Sequence, residues 1–178
     1  ARSFDPDDDT QALIWPRLID ARGATQAITP EAVAREMRGR FGRGPGLEPE
    51  QLERVHRLLT GARTAEEKVR RIYDLARTGV RYVADVRGEG AITARPASLV
   101  LSRGWGDCKD KANLMVELGR VAGVALHPVL VRVTPGLHWP GRSHVSFYDH
   151  AIAAWRDGDR LQYLDPTGST VEFGNLPD

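Results

Sequence analysis

Helix-type and strand-type patterns occupy separate parts of this chain, and this separation is what most limits the folds open to it. Helix caps and helical periodicity recur up to residue 122, whereas strand-like runs and a hairpin signal fill most of the sequence after it. Successive strands without intervening helices pair antiparallel, because parallel pairing needs a long crossover. The order therefore predicts an α+β domain with helices and antiparallel sheet in separate layers, not an alternating α/β sheet.

Capping and stop signals set the bounds of five predicted helices. Thr29 is a suitable N-cap with Pro30 at the first helical position, and 64-TAEE-67 is a capping box that satisfies the first backbone N–H groups of a helix. Apolar residues recur at helical spacing, and a glycine ends three of the segments. The predicted helices are 29–41, 48–60, 64–78, 97–103 and 107–122.

Strand-like runs and one turn signal predict the sheet. The runs are 80–84, 124–133, 146–155 and 160–165. The dipeptide 157-DG-158 lies between the last two and is a strong hairpin signal, which pairs Arg156 with Asp159 across a two-residue turn. Counting back along the strands then puts His150 directly opposite Asp165. Opposed residues share a face of the sheet with about 5 Å between their Cβ atoms, so an imidazole–carboxylate hydrogen bond is expected.

Cys108 is the only cysteine of the chain and stands in 103-RGWGDCKDKANLM-115, where a predicted helix begins. A lone cysteine is most often a small buried residue, and local signals leave that interpretation open. With Asp107 as the N-cap, however, the thiol lies at the first helical position, where unpaired N–H groups and the helix dipole favour a thiolate. Gly104 and Gly106 allow a tight turn and the close approach of a substrate backbone.

A thiolate nucleophile needs a base, and the base needs a group that orients it. Considered separately, His150 and Asp165 are also explained as an ordinary strand histidine and a turn-forming aspartate. Taken together, a cysteine at a helix start and a His–Asp pair in register indicate a catalytic triad. In that interpretation the backbone N–H of Cys108 is a candidate donor to an oxyanion.

The segments GDCKDKANLM, YDHAIAAW and YLDPT resemble the three motifs of the bacterial transglutaminase-like core domain, part of the papain-like cysteine-enzyme superfamily. The resemblance implies a nucleophile helix packed on an antiparallel sheet, with Cys108, His150 and Asp165 as nucleophile, base and orienting acid. It implies a catalytic core at residues 64–178, and residues 1–63 are expected to be a helical lead-in of the same compact unit. Similar domains are often internal parts of larger exported or envelope-associated proteins, so this chain is expected to be excised from one.

The activity implied by the resemblance is acyl transfer or hydrolysis on protein or peptide amides through a thioester on Cys108. The acceptor is water in a protease or deamidase and an amine in a transglutaminase, and the sequence leaves these alternatives open. No cofactor and no metal are expected. The expected lining of the substrate cleft and oxyanion site is Trp105, Gly106, Asp107 and Trp139. Packing is an equal explanation for the two tryptophans.

Other functions fit the sequence less well. A catalytically silent scaffold that binds protein is the main alternative, but such domains commonly lose a member of the triad, and this chain has all three. A metal site could draw its ligands from Cys108, His144, Asp149 and His150, yet these lack a typical ligand spacing. The 25 Lys and Arg against 24 Asp and Glu give no overall basic field for nucleic acid. No apolar run reaches the roughly 18 residues that direct membrane insertion requires.

Overall fold

A computed structural model of the chain describes residues 29–42, 44–85, 92–134 and 148–176. Of the predicted lead-in, residues 1–28 lie outside these ranges. The described chain forms, in order, α1 Pro30–Arg38, α2 Pro49–Leu59, α3 Ala65–Thr78, β1 Arg81–Tyr82, α4 Ala97–Arg103, β2 Trp105–Gly106, α5 Cys108–Ala122, β3 Leu126–Val131, β4 His150–Asp157 and β5 Arg160–Leu164. The three longer strands form an antiparallel sheet in the order β3–β4–β5, after all five helices. The predicted α+β class is thus confirmed.

Side-chain caps explain where the helices begin. Thr29 Oγ1 accepts a hydrogen bond from the first turn of α1, and Thr64 with Glu67 forms the predicted capping box of α3. α5 begins with a box of the same kind, in which Asp107 and Asp110 each accept a hydrogen bond from the other's backbone N–H. Each cap satisfies N–H groups that have no partner inside the helix, and contributes about 1 kcal/mol.

α5 lies at the centre of the core and joins the helices to the sheet. It packs against α2, α3 and α4 and also against β3 and β4. Buried apolar side chains from both layers meet along it, including Val69, Ile72, Leu114, Met115, Leu118, Ala153, Trp155 and Leu164. Each large apolar side chain contributes about 1.5–3 kcal/mol when fully buried, so this junction fixes α5 on the sheet. No helix within the described ranges, α5 included, combines the length and apolar composition needed to cross a membrane.

The β4–β5 hairpin differs from its predicted register by two residues, which corrects the predicted pairing. Asp157 pairs with Arg160, so the two-residue turn begins at Gly158 and not at Asp157. Gly158 has φ +57°, as the first central residue of a type II′ turn requires, whereas the predicted turn would need Asp157 in that left-handed conformation. His150 is therefore not opposite Asp165. A shift of two residues nevertheless leaves both on the same face of the sheet.

A two-residue parallel ladder that was not predicted joins β1 to β2. Arg81 pairs with Trp105 and Tyr82 pairs with Gly106, with flanking backbone hydrogen bonds of 2.8 and 3.0 Å. The predicted strand 80–84 is therefore a strand over two residues only. So short a strand leaves no periodic pattern, which is why the sequence does not reveal β2. The ladder fixes the chain just before α5 and brings Tyr82 beside Gly106, close to the start of that helix.

Candidate active site

Cys108 is the first residue of α5, and the chain on either side fixes its position. Upstream, Gly104 ends α4 in the left-handed conformation, with φ +67°, and turns the chain into β2. Downstream, the capping box of Asp107 and Asp110 closes the first turn of α5. The thiol is free and only partly buried, so a substrate can reach it.

His150 and Asp165 are hydrogen-bonded despite the corrected register. The Nε2 atom of His150 lies 2.8 Å from Oδ2 of Asp165. His150 begins β4 and Asp165 directly follows β5, so the two side chains meet diagonally across the end of the hairpin, within reach of long side chains. The backbone N–H and the hydroxyl of Thr167 donate to Oδ1 of Asp165 at 2.9 and 2.6 Å. Both carboxylate oxygens are thus engaged, and this fixes their orientation.

The thiol of Cys108 acts on the same imidazole. The hydrogen bond with Asp165, followed by that with Cys108, outweighs burial and raises the pKa of His150 to about 10. Burial raises the pKa of Asp165, but hydrogen bonds from His150 and Thr167 outweigh it and hold that pKa below its usual value. At neutral pH the ring is therefore an imidazolium and the acid a carboxylate. With Nε2 on the carboxylate, Nδ1 is the ring nitrogen left for the sulfur.

Sulfur, imidazole and carboxylate in this order can move a proton to and from a reacting group. The thiolate is the nucleophilic form of a cysteine, and an imidazolium can serve as its counter-ion. The backbone N–H of Cys108 belongs to the first turn of α5, whose N–H groups have no acceptor inside the helix. It can donate instead to an oxygen that becomes negative during the reaction. The arrangement therefore fits nucleophilic attack on a carbonyl carbon.

Buried charges support residues 107–110, which we call the nucleophile turn. Arg95 donates to the two carboxylate oxygens of Asp110, from its backbone N–H at 2.8 Å and from its guanidinium at 2.7 Å, and also pairs with Asp85. Lys109 pairs with Asp107, whose pKa is raised by burial. Asp110 is completely buried. Each carboxylate of the capping box therefore has a cation as partner, which offsets the cost of burying its charge.

Two of the predicted cleft residues have structural reasons for their identity or orientation. A Cβ atom on Gly106 would lie 2.8 Å from Cβ of Asp110, so close packing requires glycine there, independently of any substrate. Trp105 is partly buried, and the guanidinium groups of Arg95 and Arg103 lie 5.6 and 5.2 Å from its ring centroid. Such contacts hold the indole in place beside the nucleophile turn. Trp139 lies outside the described residues.

Tyr82 belongs to the site although sequence patterns do not single it out. It pairs with Gly106 across the β1–β2 ladder and is 43% exposed. Burial raises the pKa of its phenol, and the charges of Cys108, Asp107 and Asp165 act in the same direction. An aromatic ring that is open to solvent this close to the thiol can contact a bound substrate.

Lys111 is a buried cation close to the site, and it too escapes sequence analysis. It lies one turn along α5 from Cys108, is 1% exposed, and donates to the carbonyl oxygens of Val80 and Arg77 at 2.8 and 3.3 Å. Burial lowers its pKa to about 8, although the charge of Asp165 opposes this. Lys111 therefore ties the nucleophile helix to the end of α3. A lysine in a helix is ordinarily solvated, so the sequence gives no reason to expect this burial.

The candidate metal ligands do not form a group of three in the part of the chain that the structure describes. Asp149 instead accepts hydrogen bonds from the backbone of Val133 and Thr134 at 2.8 and 3.0 Å. A hydrogen bond from the Thr134 side chain, together with these, lowers the pKa of Asp149 to about 2. His144 lies outside the described residues. Within the described ranges, no group of three or more His, Cys, Asp or Glu side chains could hold a metal ion.

Comparisons with known proteins identify a family from the sequence and a similar fold from the structure. The family model of the transglutaminase-like superfamily matches residues 53–166, which is more than half of the chain. No curated protein is significantly similar to it in sequence. Among solved structures, a "putative protease" from Parabacteroides distasonis ATCC 8503 superposes on 86% of this chain with a TM-score of 0.64 and 17% identity. At that identity the likeness shows the fold alone, and this chain covers 32% of that protein.

Proposed function

This chain belongs to the transglutaminase-like superfamily, and on that premise we propose that it is a cysteine enzyme acting on amides of proteins or peptides. Cys108 is the nucleophile, His150 carries the proton, and Asp165 orients the imidazole. The observation that most supports this proposal is the hydrogen bond between Nε2 of His150 and the carboxylate of Asp165, since the thiol of Cys108 acts on the same ring. Residues 64–178 are proposed as the catalytic core, with residues 1–63 as its lead-in.

The first half of the proposed reaction forms a thioester. The thiolate of Cys108 adds to the amide carbonyl carbon, and the oxygen that becomes negative accepts a hydrogen bond from the backbone N–H of Cys108. The His150 imidazolium then gives its proton to the amide nitrogen, the C–N bond breaks, and ammonia or an amine leaves. The imidazole is now neutral, and Asp165 holds it in the same orientation.

The second half of the reaction releases the acyl group. The neutral His150 takes a proton from water or from a primary amine as that acceptor attacks the thioester carbon. The C–S bond breaks, and the thiolate and imidazolium are restored. Water as acceptor gives peptide cleavage or deamidation of a glutamine, whereas an amine gives a new amide bond. The choice depends on how well the bound thioester is shielded from water.

One assay separates these reactions. The full chain is incubated with a glutamine-rich protein and a fluorescent primary amine, while ammonia release, amine incorporation and new peptide termini are measured in parallel. We expect at least one product from the wild type, together with a covalent acyl-enzyme detected by mass spectrometry. Cys108→Ala is expected to give none of these while keeping its circular dichroism spectrum and melting temperature.

Two outcomes would contradict the proposal. A folded Cys108→Ala variant that still forms product would exclude Cys108 as the nucleophile. A wild-type protein that forms no product, and whose thiol reacts with iodoacetamide no faster than a cysteine in an unstructured peptide, would support the silent protein-binding domain instead.

A further inference from the structure

Asp165 lies beyond the end of β5, so strand pairing does not hold it in place. The last pair of the β4–β5 ladder on this side is Ala153 with Leu164. From Asp165 to Phe173 the chain forms neither helix nor strand. We call residues 165–173 the acid strap. Because Asp165 has to meet the imidazole at hydrogen-bonding distance, something outside the sheet must place this strap.

α3 contacts the acid strap with three side chains. Arg70, Tyr73 and Arg77 are spaced three and four residues apart, which puts them on one face of the helix, and we call them the α3 stripe. The guanidinium of Arg70 lies 4.2 Å from the ring centroid of Phe173. Arg77 donates to the carbonyl oxygen of Ser169 at 2.5 Å. The stripe therefore touches the middle and the far end of the strap.

Tyr73 makes the stripe's contact with the acid itself. Its hydroxyl lies 3.0 Å from the carbonyl oxygen of Asp165 and 2.8 Å from that of Val171, and shares its proton between them. One oxygen thus binds the beginning of the strap and a point six residues further along. The ring is completely buried and meets Phe173 edge-on, with 5.7 Å between centroids. Packing therefore holds the hydroxyl at this place.

We infer that Tyr73 is a positioning residue, which holds the backbone of Asp165 where the carboxylate can reach His150. Thr167 orients the carboxylate from within the strap, but it moves with the strap and cannot place it. α3 can, because its Val69, Ile72 and Ala76 side chains belong to the buried core cluster, most of whose members lie outside the strap. The expected effect of Tyr73 on catalysis rests on the proposed function. Its effect on the geometry of His150 and Asp165 does not.

Tyr73→Phe tests this inference, because it keeps the ring and removes only the hydroxyl. The titration of the His150 ring is followed by NMR in the full chain carrying Cys108→Ala, where no thiol titrates together with the ring. We expect the midpoint to fall by about one pH unit or more relative to Cys108→Ala alone, which corresponds to a tenfold weaker interaction with Asp165. With Cys108 present, kcat is expected to fall about tenfold at unchanged KM.

Ile72→Val is the matched control. Ile72 is adjacent on α3 and completely buried, but its side chain has no polar group to bind the strap. We expect a lower melting temperature and an unchanged midpoint for His150. A folded Tyr73→Phe variant with an unchanged midpoint overturns the inference, and so does an equal shift in Ile72→Val.

If Tyr73→Phe does not fold, Arg77→Lys provides the second test. It keeps the positive charge of the stripe and loses the guanidinium contact with Ser169, so we expect a smaller fall of the midpoint. No fall in this folded variant overturns the inference. The two proposals fail separately. Absence of a thioester in the wild type counts against the proposed function. An unchanged midpoint pH for the titration of His150 in the variants counts against the role of Tyr73.

Discussion

The nucleophile turn and the acid strap hold opposite ends of one triad by different means. In the nucleophile turn, Asp107 and Asp110 cap each other across three residues. In the acid strap, Asp165 depends on a hydroxyl that stands 92 residues earlier in the chain. The turn also contains two buried carboxylates that pair with Lys109 and Arg95, whereas side chains of α3 hold the backbone of the strap.

This difference predicts that the two regions fail in different ways. A buried carboxylate that loses its cation keeps its full desolvation cost, so damage to the charges of the nucleophile turn should appear as lost stability. The strap lies at the end of the sheet, so damage there should leave the core intact and misplace the acid. Activity and stability should therefore separate between the two regions.

The largest expected effect is on activity and comes from the strap. Asp165→Asn preserves the shape of the side chain but removes the charge that stabilises and orients the His150 imidazolium. We expect the rate of thioester formation to fall about 10²–10⁴-fold, with a melting temperature within a few degrees of wild type. The measurement is single-turnover acylation by an activated ester.

Asp149→Asn is the control for that variant. Asp149 is next to His150 in sequence, but its carboxylate is exposed and binds the backbone of Val133 and Thr134 instead. The acylation rate of the Asp149→Asn variant should stay close to that of the wild type. If Asp165→Asn acylates at the wild-type rate, the strap does not supply the orienting acid.

The next effect is on stability and comes from the nucleophile turn. Arg95→Met removes the guanidinium that pairs with Asp85 and Asp110 and leaves buried carboxylates without it. We expect a loss of about 3–5 kcal/mol in the free energy of unfolding, measured by urea denaturation. Arg57→Met is the control: its ion pair with Glu53 is exposed, and its loss should cost less than about 1 kcal/mol. Equal losses in both variants would remove the distinction between the two regions.

The smallest effect is a pH dependence of stability, and it tests the residue that joins the two regions. The folded pKa of His150, about 10, lies above the ordinary value of 6.5, so between these values the folded state binds more protons than the unfolded state. Stability therefore falls as pH rises through this window. The pKa of Lys111 is lowered in the folded state, to about 8, so its contribution makes stability rise with pH. This contribution begins only above about pH 8. The window from pH 6.5 to 8 thus excludes the contribution of Lys111.

In that window we expect the wild type to lose about 1–2 kcal/mol of unfolding free energy, which lowers the melting temperature by several degrees. His150→Gln should lose little, because its side chain does not titrate. The comparison is made by thermal unfolding of both proteins at matched ionic strength. If the melting temperatures of the two proteins change equally with pH, His150 is not held as an imidazolium by the thiol and the strap.

Sequence patterns predicted those parts of the molecule that are decided within a few residues. The capping boxes of α3 and α5 and the place of Cys108 at a helix start follow from local backbone requirements. The hairpin turn shows the limit of that reasoning. Asp157 and Gly158 favour one turn type, whereas Gly158 as the first central residue favours another, and strand pairing selected the second. The predicted contact between His150 and Asp165 nevertheless exists, because the shift is an even number of residues.

By itself, the sequence determined the α+β order of elements, the helix that begins at Cys108 and the face of the hairpin that His150 and Asp165 share. Tertiary structure alone decided the parallel β1–β2 ladder, the burial of Lys111 and the hold of Tyr73 on Asp165. The physical reason is how far apart in the sequence the interacting residues lie. Caps, turns and strand alternation are satisfied within a few residues, so they can be read from the chain. Burial and long-range hydrogen bonds exist only after distant segments have packed together.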